Sequence, residues 1–167
     1  MLAPLDIERL LADLEVDEVN NLVISNNLVT KALKGKIIKD IYINSKENPE
    51  TLTFETTEGK MISFETEGDC CSHCWFADFF NIQALINQEV LGSYEIELED
   101  YDYNTDDGRC TQSEDEIYGY KIYTKKGTAV VSFRDSSNGW YGGWINQTTD
   151  HCKDYSLKNM TNWMSEF

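Results

Sequence analysis

The chain has 167 residues, with 30 acidic against 14 basic side chains, a formal net charge of −16 and 12% aromatic residues. That length suits one domain able to bury its own core, and the aromatic content with only two prolines argues against disorder. The charge has the wrong sign for direct nucleic-acid binding, and no apolar run approaches the roughly 18–20 residues that span a bilayer.

Leu5, Ile7, Leu10, Leu11 and Leu14 recur at helical spacing, with Asp6 and Glu8 near the start, where the helix dipole favours negative charge. The opening Met1 to Asp6 lacks the positive and long apolar regions of a secretory signal, so a cytoplasmic protein is expected. Leu28, Ala32 and Leu33 form a second helical turn before Gly35. Residues 1–34 are therefore expected to be an N-terminal helical extension.

From Lys36 to Ile43 the chain is rich in β-branched residues, and Leu52, Phe54 and Thr56 alternate with polar neighbours as in a half-buried strand. Glu58-Gly59 turns the chain, and Ile62 and Phe64 resume the alternation. The pattern returns: Tyr118, Tyr120 and Ile122 are answered by Val131 and Phe133 across Lys126-Gly127. Trp75 stands eleven residues beyond Phe64, and Trp144 stands eleven beyond Phe133. The lead-in Leu33 to Ile38 is echoed by Leu85 to Val90. The expected class is α+β: internally duplicated antiparallel β-hairpin units sharing one core over 35–146, with a C-terminal tail, 147–167, packing on the domain.

The second copy is interrupted at about 95–116 by ten carboxylates against the single cation Arg109. They are Glu95, Glu97, Glu99, Asp100, Asp102, Asp106, Asp107, Glu114, Asp115 and Glu116, interleaved with Tyr101 and Tyr103. Such a composition cannot support a core of its own, and Asp106-Asp107-Gly108 is turn chemistry, so an extended acidic arm is expected. The glycine and closing glutamate of a calcium loop are not in place.

Gly68-Asp69-Cys70-Cys71, the Leu85 to Val90 lead-in and Ser136-Ser137-Asn138-Gly139-Trp140-Tyr141-Gly142-Gly143 together resemble a small uncharacterised domain family of phages and bacteria. In that family an Asp-Cys-Cys element and a Ser-Asn-Gly-Tyr-Tyr element mark equivalent points of two halves. The resemblance covers roughly residues 33–146 and implies a phage-type setting without implying a reaction. Trp140 stands here where tyrosine is usual, and the helical front and long acidic insertion are departures.

Three site chemistries follow from the residues. Cys70, Cys71, His73 and Cys74 lie within five positions, and Cys110, His151 and Cys152 could complete a tetrahedral zinc site; the alternative is that Cys70 and Cys74 are small buried apolar side chains beside Trp75. Ser136, Ser137, Asn138, Trp140, Tyr141 and Trp144 could form a ligand site, with glycine-flanked backbone N–H groups for a small anion and rings to stack a base, as in a protein that binds a signal nucleotide; the alternative is a tight turn. The chain has no phosphate loop, nucleophile elbow, dinucleotide fingerprint or His-Glu-x-x-His helix, and its acidity opposes a cysteine thiolate, so an enzyme is not expected. The acidic arm points to a basic protein partner. The expected function is a non-enzymatic, phage-type accessory protein that binds and inhibits a basic nucleic-acid-handling host protein, such as a defence nuclease of the CRISPR type, by imitating duplex phosphates. The alternatives are the nucleotide binder and a structural zinc module, and solubility alone accounts for much acidity.

Overall fold

A computed structural model describes residues 26–97, 114–137 and 142–165. Among them lie a short α-helix, α1 (Leu28–Leu33), a 3-10 turn (Ile82–Ala84) and ten strands. The strands are β1 (Ile38–Ile43), β2 (Thr51–Thr56), β3 (Met61–Gly68), β4 (His73–Phe80), β5 (Gly92–Glu97), β6 (Glu114–Thr124), β7 (Gly127–Ser137), β8 (Gly143–Thr148), β9 (Tyr155–Ser156) and β10 (Trp163–Met164). They form two five-stranded sheets, ordered β8-β3-β2-β1-β9 and β10-β4-β7-β6-β5, with antiparallel neighbours throughout.

The expected α+β class is thereby corrected: the described chain is mostly β, and its one α-helix spans six residues. The helical pattern of Leu5 to Leu14 lies outside the described residues. The segments 73–80, 92–97 and 143–148, for which the alternation above gave no strand, are strands. Cys74-Trp75-Phe76-Ala77-Asp78-Phe79-Phe80 is a nearly continuous buried run, the signature of a strand covered on both faces rather than of one that alternates.

Alternation builds the core between the sheets. In the first sheet Leu52 and Phe54 of β2 face the same way as their partners Phe64 and Ile62 of β3, and the Phe54 and Phe64 rings meet edge to face at 6.0 Å. From the second sheet Phe76, Tyr120, Ile122 and Val131 meet them, and all belong to one buried cluster. The helix α1 closes an edge of this core with Val29 and Leu33; Asn27 caps it by accepting from Thr30 N–H, and Thr30 Oγ1 lies 2.8 Å from Ser93 Oγ on β5.

The repeated hairpins lie in different sheets, β2–β3 in the first and β6–β7 in the second, and the strand after each hairpin leaves its own sheet. Strand β4 crosses to pair with β7, and β8 crosses back to pair with β3. Under the correspondence β1 to β5, β2 to β6, β3 to β7 and β4 to β8, the two sheets have the same order, each completed by a strand from the other half. The lead-ins join the halves reciprocally. Gly35 N–H donates to Val90 O at 2.8 Å and Asn87 N–H to Ile38 O at 2.6 Å; Ile38 N–H donates to Gln88 O and Val90 N–H to Lys36 O. Gly35 and Asn87, 52 positions apart, both adopt the left-handed conformation, at φ 81° and 58°. The C-terminal residues add β9 to the edge of the first sheet and β10 to the edge of the second.

Candidate functional site

Both crossings occur at one end of the molecule. The last pair of β3 and β8 is Gly68 with Gly143; after the four residues 69–72, β4 enters the second sheet at His73, opposite Ser136. The turn 69–72 is tied to the opposite crossing. Asp69 N–H and Ser72 Oγ both donate to Gly142 O, at 3.1 Å each, and Ser72 N–H and Oγ return to Asp69 O at 3.0 and 2.9 Å. Gly143 is required by the close passage of β8 over the second sheet, because a Cβ there would stand 2.8 Å from the buried Asp135 carboxylate.

The acidic segment departs from the same end. Strand β6 begins at Glu114 and Asp115, opposite Ser137 and Ser136, and β5 ends at Glu97, opposite Tyr118. Glu95 is exposed on β5, and Glu116 is exposed on β6 and accepts from the Tyr118 hydroxyl. Glu99, Asp100, Tyr101, Asp102, Tyr103, Asp106 and Asp107 lie outside the described residues, in the connection between these strands. The local negative charge shows in the neighbouring groups: burial first, then Glu95, pushes the Tyr120 phenol up to about 12. Burial, then Asp135 and Glu50, pushes the Cys74 thiol well above its ordinary range, and the hydrogen bond and charge of Cys70 push Cys71 up.

Among the described residues the suggested zinc ligands do not converge, and Cys110 lies outside them. Cys74 is buried in the core cluster, whereas His73, the preceding strand residue, sets Nε2 2.8 Å from Asn48 Oδ1 and its ring 5.0 Å from that of Trp75. Cys70 and Cys71 are exposed in the turn. Among the described residues no group of three or more His, Cys, Asp or Glu side chains is placed to hold a metal ion. Of the suggested ligand site, Ser136 and Ser137 are buried at the end of β7, while Trp144 is 40% exposed on β8, in the other sheet, opposite Glu67. Asn138, Trp140 and Tyr141 lie outside the described residues.

The sequence reading missed a polar cluster on the outward face of the first sheet. Ser63 Oγ lies 2.6 Å from His151 Nδ1 and 2.7 Å from Thr53 Oγ1, which in turn accepts from Cys152 N–H at 3.0 Å. The signal was present in the alternation: Thr53 and Ser63 are direct cross-strand partners on the face opposite Phe54 and Ile62. Ser63 is 1% exposed and burial raises the Cys152 thiol, so neither is poised as a nucleophile. The cluster pins the 149–154 segment across the sheet. Beside it the Tyr42 hydroxyl donates to Glu55 at 2.7 Å, with Lys39 and Lys153 each 3.6 Å from that carboxylate.

The model of a domain of unknown function, DUF7448, matches residues 31–146. A relative titled "Uncharacterized protein L278", from Acanthamoeba polyphaga mimivirus, is 30% identical over 112 residues, covering 65% of this chain and 83% of its own. No solved structure gives a significant match. Among the described residues no helix is long and apolar enough to cross a membrane.

Proposed function

The chain belongs to the DUF7448 family, and from that premise we propose that it is a non-enzymatic binding protein. Its acidic arm occupies a cationic groove of a nucleic-acid-handling host protein, a defence nuclease in the form foreseen above. The observation that carries this reading is the concentration of ten carboxylates against Arg109 between residues 95 and 116, in a chain of net charge −16. Glu95 and Glu116 are exposed on β5 and β6, the two paired strands that flank this segment. Negative potential gathered on one projection steers a basic partner and speeds its capture. Tyr101 and Tyr103 supply the aromatic anchoring that interfaces favour. The mimivirus relative supports a viral setting and nothing narrower.

The test is affinity capture from host lysate at low and high salt, with mass spectrometry of the retained proteins. The wild-type chain is expected to retain basic nucleic-acid-binding proteins that elute as salt rises. Replacing Glu99, Asp100, Asp102 and Asp106 by lysine is expected to abolish that capture and flatten its salt dependence. Retention unchanged by the four substitutions overturns the reading.

A further inference from the structure

The turn joining β3 to β4 carries two adjacent thiols. Cys70 and Cys71 are both exposed, and their Sγ atoms lie 3.4 Å apart. A disulfide bond is about 2.04 Å long, so closure requires an approach of roughly 1.4 Å. Cys71 sits at φ 68°, a left-handed conformation that is strained for a residue bearing a side chain. The hydrogen bonds of Asp69 and Ser72 to Gly142 hold the turn in that shape.

We propose that Cys70 and Cys71 form a reversible dithiol–disulfide site whose chemical partner is a low-molecular-weight disulfide of the glutathione type. The Cys70 thiolate attacks one sulfur of the small disulfide, forming a mixed disulfide and releasing one small thiol. Cys71 then loses its proton and attacks the Cys70 sulfur, closing an eight-membered ring and expelling the second small thiol. Two protein thiols are oxidised by two electrons, one small disulfide is reduced to two thiols, and both protons leave with them.

The hydrogen bond and charge of Cys70 push the Cys71 thiol up, and that restraint disappears once Cys70 is held in the mixed disulfide. Adjacent Cα atoms are about 3.8 Å apart, below the usual 4.4–6.8 Å of a relaxed disulfide, so the ring is strained and easily reduced. It acts as a switch and not as a staple. Ring closure reshapes the 69–72 turn, which grips Gly142, and so transmits the redox state to the second crossing.

The experiment uses the full chain carrying Cys110→Ser, reduced and then equilibrated with oxidised and reduced glutathione in varied ratio, followed by acid quenching, alkylation and peptide mapping. The expected product is a peptide containing residues 70 and 71 that has lost two hydrogens, resists alkylation, carries no glutathione and reverts with excess reduced glutathione. In Cys71→Ser the intermediate is expected to persist as a glutathione adduct on Cys70. Hydrogen exchange at Asp69, Ser72 and Gly142 is expected to rise on oxidation. Stable adducts on both cysteines of the parent chain, or two alkylatable thiols at every ratio, overturn the proposal. Doubly substituted Cys70→Ser, Cys71→Ser protein serves as the folded blank, because both side chains are exposed.

Discussion

Gly35 shows what one residue contributes to joining the halves. A Cβ at this position meets nothing within 4 Å, so its only requirement is the left-handed backbone. Asn87, its counterpart in the other half, meets the same requirement with a residue that tolerates that conformation. Gly35→Ala is therefore expected to cost about 1–2 kcal/mol, and Gly35→Asn distinctly less, in urea unfolding monitored by tryptophan fluorescence. Tyr42 offers a test with a pH signature. Its hydrogen bond, reinforced by Lys153 and Lys39, holds the Glu55 carboxyl below its ordinary range against the opposing effect of burial. A depressed carboxyl stabilises the fold above the unfolded value and loses that contribution as pH falls through the folded one. Tyr42→Phe is expected to cost about 1 kcal/mol at pH 7, and the gap to wild type should narrow below about pH 4. A gap that stays constant into acid would show that Glu55 plays no part in it.

At the level of elements, much was legible wherever a strand has one buried face. Leu52, Phe54, Ile62 and Phe64 alternate cleanly, and the turns at Gly59 and Gly127 stand where glycine punctuates the pattern. The α+β class rested on helical spacing in residues 1–34, of which the described part holds only the six-residue α1; β4 went unread because it does not alternate, with Cys74, Phe76 and Phe79 facing the core while Trp75, Asp78 and Phe80 are buried on the other face. A residue shift between Phe76 and Asp78 blurs its period further. The very short β9 and β10 carry no periodic signal at all, since two residues cannot display one. For the candidate site, Cys70, Cys71, His73 and Cys74 were legible only as a cluster of possible zinc ligands, and the separation of the exposed Cys70 and Cys71 from the buried Cys74 was not. That separation depends on which face Cys74 turns to after the crossing, a property of the partner strand β7 and not of the local sequence.

On the scale of the whole molecule, the exchange of β4 and β8 makes the halves interdependent. Residues 1–91 contain β4 without the β7 it pairs with, and residues 92–167 contain β8 without β3. Each half alone exposes apolar strand surface and an unpaired edge. Neither fragment is expected to show a cooperative urea transition, whereas an equimolar mixture should recover the far-ultraviolet dichroism and a single transition. A half that unfolds cooperatively as a monomer would contradict this account. The pairing of strands distant in sequence also places folding in the slow, millisecond-to-second range of β topologies.

Halves that clasp one another's fourth strand leave no seam along which to swing apart. At the end bearing the paired thiols, the described strands β3, β4, β7 and β8 are held in place by each other's pairing. For the proposed partner and the proposed dithiol switch alike, a change of shape at this end has to come from chemistry within the crossing turn rather than from a parting of the halves.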